Sequence, residues 1–455
     1  MKKTAYIRDM TSGSIIRHII TFAIPLLVGN LFQQLYNLVD TMVVGYRLGD
    51  QAIAAIGAIV SLYSMIVDFA CDLNNGYGII VTQRFGAGDP DQMRKSVAGM
   101  MELNLFAGIL LPTLSLVFLK PMLHLMNTPD EIFGQSYAYI SIICAGIPVT
   151  IGYNMFASIL RAVGNSRSPL VFLILSSLLN VALDILFVWV LNMGIGGAAL
   201  ATVLAQLAAT LCSGTYVWKH YRQYLPKKED LRVPGRLLVA LVLSGGSLAM
   251  MSVVVEFGTV IFQSAANLLG KMYITAHSSA RRLLIMMIQP IISLSVANMT
   301  FIGQNWGAGN KERIQPAIRL SLLMELLWGA FVVAVFFLFG RQLIHFTTGT
   351  TDTDILKNAV LSLRINCVLY PVLGVLFCMR NTMQAMGHKV IPVLSSVIEL
   401  IMKLIAVALF IPKWGFIGVC ITEPVTWLLM TAFLLGCYLF FRKKWFGGKL
   451  SENCV

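Results

Sequence analysis

The sequence predicts an all-α polytopic membrane protein, with twelve transmembrane helices in two six-helix bundles related by a pseudo-two-fold axis. Three observations lead there. Of the 455 residues, 57% are hydrophobic and only 12% charged, and the mean hydropathy is +0.77. An ordinary soluble domain carries roughly twice that charge density, so a soluble enzyme and a disordered chain are both excluded. Apolar runs of about 20 residues, the length that crosses a bilayer, recur along almost the whole chain. Finally, local motifs of the first half return in the second half at a nearly constant offset.

Hydropathy, punctuated by Gly, Pro and charge clusters, places the first six spans at about residues 16–45, 51–80, 94–120, 131–160, 168–191 and 195–218. The second six fall at about 238–264, 272–301, 314–340, 355–383, 389–412 and 415–441. The opening MKKTAYIRDMTSGSIIRH runs into a span containing Pro25, Gln33, Gln34 and Asp40, which is not the short apolar core of a cleavable signal peptide. The net charge of +13 collects in alternate connections: Lys2/Lys3/Arg8/Arg17, Arg84/Arg94/Lys95, Lys219/Arg222/Lys227/Lys228/Arg232/Arg236, Lys311/Arg313/Arg319 and Arg442/Lys443/Lys444. By the positive-inside rule these face the cytoplasm, with both termini inside a cell membrane. The basic balance therefore reports topology and not a nucleic-acid partner.

The repeat is visible in three blocks. Gln83-Arg84-Phe85-Gly86-Ala87-Gly88-Asp89 returns as Gln304-Asn305-Trp306-Gly307-Ala308-Gly309-Asn310, and Gly194-Ile195-Gly196-Gly197 returns at the same offset as Gly415-Phe416-Ile417-Gly418. Ala162-Val163-Gly164 with Pro169 returns as Ala385-Met386-Gly387 with Pro392, at an offset only slightly larger. Six spans per repeat is an even number, so the halves share one orientation. The organisation expected is a cytoplasmic segment 1–15, an N-lobe 16–218, a cytoplasmic linker 219–237, a C-lobe 238–441 and a cytoplasmic tail 442–455. Two parallel lobes with a cavity between them suit alternating access.

Ionisable residues inside spans are expensive and usually functional or paired. The acidic ones are Asp40, Asp68, Asp72, Glu102, Asp184, Glu256, Glu325, Glu399 and Glu423, set against Arg281, Arg282, Arg364 and Lys403. The interior is acidic on balance, which favours cations, protons or sodium. Asp40, Asp184 and Thr202 lie at similar depths, and Asn180 sits one turn from Asp184 on the same helix face. Two carboxylates at one depth need a proton or a cation between them. In the second lobe the counterpart of Asp40 is Ile261, but Glu423 replaces Thr202 and Glu256 lies at a comparable depth in span 7. Glu399 and Lys403 are four apart in the favourable order for mutual neutralisation. Asp68 and Asp72 are also four apart, with Asp72 near the inner surface and open to solvation, while Arg281 and Arg282 have no sequence-local partner. Pro25 in the middle of span 1 removes a backbone hydrogen bond, leaving a static kink or a hinge. Scattered cysteines, Cys71 to Cys454, and dispersed histidines form neither a disulfide framework nor a metal motif. With no nucleophile and base constellation, an enzyme is not expected, and no cofactor is implied.

The stretch IPLLVGNLFQQLYNLVDTMVVG (24–45), the QRFGAG and QNWGAG loops, LRAVGNSRSP (160–169), LNVALDILFVW (179–189) and GIGGAALATVLAQ (194–206) resemble the MATE (multidrug and toxic compound extrusion) family in its prokaryotic, NorM/DinF-like form. The resemblance runs from about residue 15 to 440. It implies a multidrug efflux antiporter that exports organic, often cationic compounds, works as a monomer in the lipid bilayer, and uses H⁺ or Na⁺ as coupling ion. The family's N-lobe cation site maps onto Asp40, Asn180, Asp184 and Thr202, for Na⁺ or a proton, with Tyr36 and Asn154 near it. An acidic residue in span 7 matches Glu256, whereas Glu399, Lys403 and Glu423 depart from the family pattern. A lipid-linked oligosaccharide flippase of related fold is the alternative, for which a cationic cavity and often extra spans are expected. A passive channel would lack ion coupling.

Overall fold

In the computed structural model, residues 6–126, 128–350 and 352–447 are described; Lys2, Lys3 and Cys454 lie outside them. Among the described residues, all regular structure is helical. Among the described residues, eleven helices are each long and apolar enough to cross a membrane, and a pair bent by 48° makes a twelfth span if it is counted as one.

The helices are α1 (Ile15–Leu48), α2 (Asp50–Gly86), α3 (Pro90–Leu125), α4 (Asp130–Ala162), α5 (Arg167–Asp184), α6 (Gly194–His220), α7 (Gly235–Asn267), α8 (Lys271–Gly307), α9 (Lys311–Thr348), α10 (Thr353–Val368), α11 (Tyr370–Ala385), α12 (Val390–Ile405), the single turn α13 (Ile411–Trp414) and α14 (Phe416–Gly447). The repeat extends to the helix boundaries, since α2 and α8 start and stop in the register set by the two GAG loops. It also extends to an irregularity. A π-helical turn, Ile185–Val190, follows α5, and another, Ala406–Phe410, follows α12 in that same register. The crossings differ most in span 10. Pro148 is accommodated inside a continuous α4, while its counterpart Pro371 follows a break at Leu369 that separates α10 from α11. Span 10, expected as one helix over 355–383, is therefore two.

The repeated motifs mark where the chain must turn. Gly88 and Gly309 close the two matching loops at φ +67° and +73°, in the left-handed region that a side chain disfavours. Asp89 then caps α3, its Oδ1 accepting the N–H groups of Asp91 and Gln92.

The chain divides into two compact units, one of residues 6–12 and 24–252 and the other of residues 13–23 and 253–447. In the first, α4 is central and packs on α2, α3 and α6, with α5 against α6. Residues 6–12 lie on the end of α4, where Arg8 N–H donates to Val163 O at 2.9 Å and Tyr221 Oη donates to Tyr6 O at 2.8 Å. Gly76 of α2 meets the Gly245 stretch of α7 so closely that a Cβ on Gly76 would stand 2.5 Å from Gly245 Cα, and Ser244 Oγ donates to Gly76 O at 2.7 Å. Gly76→Leu has backbone and not a flexible side chain to displace, so it should cost about 3 kcal/mol, the upper end of what overpacking costs. A thermal melt of the detergent-purified variant checks this, and a wild-type melting temperature would refute it.

The connection before α7 is docked. Asp230 accepts from Lys227 N–H at 3.0 Å and from Arg94 Nε at 2.9 Å. The Lys227 amide first, and then Arg94, hold its carboxyl below the ordinary carboxylate range. Because the folded value is depressed, the contact stabilises at neutral pH and is lost only as pH falls through that lowered value. Asp230→Asn should speed proteolysis within residues 222–232 several-fold at neutral pH, whereas mild acid alone should leave the wild-type connection protected.

In the second unit α10 and α11 together take the place of α4, packing on α8, α9 and α14. A smaller apolar cluster of Phe262, Ala266, Ala406, Ile411 and Val419 joins α7, the second π-helical turn, α13 and α14.

Candidate functional site

The first unit encloses a cavity of about 620 Å³, within the range of sites that take a small organic molecule. Residues of α1, α2, α4, α5 and α6 line it, including Pro25, Tyr36, Asp40, Asn154, Asn180 and Thr202. Its position follows from how these helices are tied. At Gly29, α1 packs on Leu170 and Leu173 of α5, whose methyl groups lie 3.4 Å from where a Cβ would stand. The Leu48 end of α1 is held by Arg47 Nη2, which donates to Asn192 Oδ1 at 2.5 Å, and by Trp189 Nε1, which donates to Val43 O at 3.2 Å.

The four residues expected to form the cation site fall into two close pairs, Asp40 with Asp184 and Asn180 with Thr202. Asp40 of α1 and Asp184 of α5 bring their carboxyl groups within hydrogen-bonding reach of each other. Asn180 Nδ2 lies 3.4 Å from Thr202 Oγ1, which itself donates to Ala198 O at 3.1 Å. Asp40 Oδ1, Asn180 Oδ1 and both Asp184 oxygens are buried and receive no hydrogen bond from the described residues. Buried polar atoms normally find partners, so this cluster of acceptors is short of a donor or a cation. Asp184 is the last residue before the π-helical turn, where an i→i+5 pattern widens the helix.

Tyr36 sits one turn from Asp40 on α1 and next to it in space. Asn154 Nδ2 donates to Thr150 O at 2.9 Å and lies 3.2 Å from Cys71 Sγ. Sequence reasoning missed three groups here. Tyr139 of α4 stands beside both Asp40 and Asp184, but an aromatic in an apolar span carries no distinguishing signal. Gln206 accepts from Thr150 Oγ1 at 2.6 Å. Arg161 lines the cavity, with Nη2 donating to Asn75 Oδ1 at 2.9 Å and to Ser158 Oγ at 3.0 Å. Span 4, expected over 131–160, continues as α4 to Ala162. Asp72 is also corrected: it accepts from Asn75 Nδ2 at 3.0 Å and from Ser252 Oγ, so it is paired and not merely solvated.

In the second unit Lys403 is 2% exposed and donates to Glu399 Oε1 at 2.9 Å and to Thr259 Oγ1 at 2.8 Å, with Glu423 Oε1 4.0 Å away. The expected Glu399 and Lys403 pair is therefore formed, and Glu423 belongs to it. Arg281 lies near enough to act on Lys403, while Arg282 is exposed. Glu256 is half-buried on α7, one turn before Thr259. Arg364 lies exposed, donating to Phe337 O at 3.2 Å. Arg380 of α11 adds a basic group to the span interior that the sequence inventory omitted, with Nε donating to Ser395 Oγ at 3.2 Å.

The family model described as MatE matches residues 25–186 and 247–409, one block in each repeat. The chain is 26% identical over 443 residues to the probable multidrug resistance protein YoeA of Bacillus subtilis, covering 95% of both chains. It is 23% identical to the FAD transporter of Shewanella oneidensis, covering 94% of this chain and 95% of that one. A solved outward-facing MATE transporter of the MOP superfamily superposes with a TM-score of 0.87, at 21% identity, over 98% of this chain and 99% of that one. With both repeats matched and the same all-helical fold, this chain belongs to the MatE family of multi-pass membrane transporters.

Proposed function

We propose that this protein is a secondary active antiporter that exports organic, mainly cationic compounds in exchange for H⁺ or Na⁺ by alternating access. One observation carries the reading: Asp40 and Asp184 meet beside a ligand-sized cavity, with carboxylate oxygens that no donor among the described residues satisfies. A proton on either carboxyl relieves the repulsion between them. Sodium is held instead by the same oxygens together with Asn180 and Thr202. The cavity carries Asp40 and Asp68 against Arg161, a lining that favours a cation, and Tyr36, Tyr63, Tyr139 and Tyr153 add aromatic rings to that lining. On the other unit Glu256 is a further acidic site, while Glu423 lies 4.0 Å from the Lys403 ammonium group.

In the cycle, loading of Asp40 and Asp184 changes α1 around Pro25 and displaces the cargo, and the unloaded carrier returns. Both termini lie in the cytoplasm of a cell whose membrane potential supplies about 2.3 kcal/mol per charge at 100 mV. The relatives named for multidrug resistance support the organic cargo, and the matches reported above give the flippase alternative no support. The test is efflux of a fluorescent cationic dye from proteoliposomes under a pH gradient alone and then a sodium gradient alone. Dye movement driven by one gradient names the coupling ion; movement under neither would refute the antiporter.

A further inference from the structure

Comparing the two repeats residue by residue exposes a carboxyl that the cavity does not use. In the first unit, α2 and α3 are joined by a neutral pair, Asn104 Nδ2 donating to Asn74 Oδ1 at 2.7 Å. The counterparts of these two positions in the second repeat, on α8 and α9, are Ser295 and Glu325, and Ser295 Oγ donates to Glu325 Oε1 at 2.7 Å. Glu325 is completely buried, well inside the 38-residue α9, and its Oε2 has no N–H or O–H donor among the described residues, only the Cys378 thiol standing against the carboxyl. Ser321, one turn earlier on α9, and Asn298 of α8 are equally buried, and among the described residues Ser321 Oγ and Asn298 Oδ1 also have no partner. The helices cannot open to water at this point without separating, because a Cβ on Gly374 of α11 would lie 2.9 Å from Glu325 Cβ.

The first repeat shows that neutral amides suffice to pack this helix pair. A carboxyl in the second repeat is therefore not required for packing, and an ionised one would be costly at this depth. The groups facing it are few. From α8 come Ser295 and Asn298, and from α11 the Cys378 thiol, 3.6 Å from Asn298 Nδ2, with Tyr438 of α14 beyond Cys378. No other titratable group acts on it among the described residues. With one carboxyl and two or three neutral oxygens, the site is too poor in ligands for a metal ion and suited to a proton. Asn298 also donates to Thr382 Oγ1 at 3.3 Å, and Gln304 and Asn305 of α8 and Gln384 of α11 are further buried polar residues of these two helices.

We propose that Glu325 is a second proton-binding site of the carrier, present only in the second repeat, which gains and loses its proton during transport. Uptake forms the O–H bond at Oε2 with a proton from water, and release returns that proton to water. The role in transport rests on the antiporter reading; proton binding itself does not.

The experiment uses the full chain in proteoliposomes. Infrared difference spectra between acid and alkaline buffer are recorded for wild type, Glu325→Gln, Glu325→Asn and the double variant Asp40→Asn/Asp184→Asn. A protonated-carboxyl band should vanish on alkalinisation in wild type, persist in its pH response in the double variant, and be missing from both Glu325 variants. Dye efflux driven by a pH gradient should fall about tenfold in the Glu325 variants, an ordinary coupling free energy. Glu325→Asn reproduces the residue at position 104, so it guards against loss of fold. Absence of any titrating band removed by these variants, or wild-type efflux in a folded Glu325→Asn protein, would overturn the proposal. If wild type shows no gradient-driven efflux, the antiporter reading fails while the infrared titration still decides proton binding.

Discussion

Asp40→Asn and Asp184→Asn should each reduce gradient-driven efflux about 100-fold, and the double variant should be no worse than either single one. The reason is geometric: the two carboxyls lie within hydrogen-bonding reach of each other, so the loaded ion is held by the pair and not by either member. Removing one charge leaves the other without its partner. It also abolishes the repulsion that a bound proton or sodium ion relieves, and with it the link between ion and cargo. Efflux in proteoliposomes, compared with dye binding to the same variants in detergent, separates lost coupling from lost binding. Losses that multiply in the double variant would mean two independent sites.

The second large effect concerns stability. Lys403→Met should destabilise the protein by about 3 kcal/mol, since it strips a buried ion pair of one partner. Glu399 and Glu423 would then face each other's charge without the ammonium group that now lies 2.9 Å and 4.0 Å from them. Lys403→Met combined with Glu399→Gln should recover much of the loss, because replacing a buried pair together is far cheaper than breaking it. Thermal unfolding of the three purified proteins is the measurement. A Lys403→Met protein as stable as wild type would show that Glu399 and Glu423 are served by Arg281 and Arg380 instead.

The fold was legible because a bilayer demands long apolar runs, and these dominate the composition. The repeat was legible because tight loops demand glycine: the Gly88 and Gly309 pair appears in the sequence as GAG and in the structure as matched left-handed turns. The carboxylate pair could be grouped from depth alone, since α1 and α5 each place their acid a similar distance from the same end. What depth does not give is azimuth. Tyr139 and Gln206 face the cavity rather than lipid only because of how α4 and α6 are rotated, and hydropathy is blind to rotation. Arg161 was lost to a small boundary error, enough to move a cation from a loop into the cavity. The break at Leu369 was hidden because Pro148 and Pro371 look alike in sequence, yet one is absorbed and the other is not.

The two π-helical turns date the molecule. Each holds one residue more than an α-turn would, and a single-residue insertion rotates everything beyond it by roughly 100°. Such an event arising separately in both halves, at positions 185 and 406, would be a coincidence of register. The simpler history is that the insertion was already present in a six-helix ancestor and was copied when the gene doubled and fused.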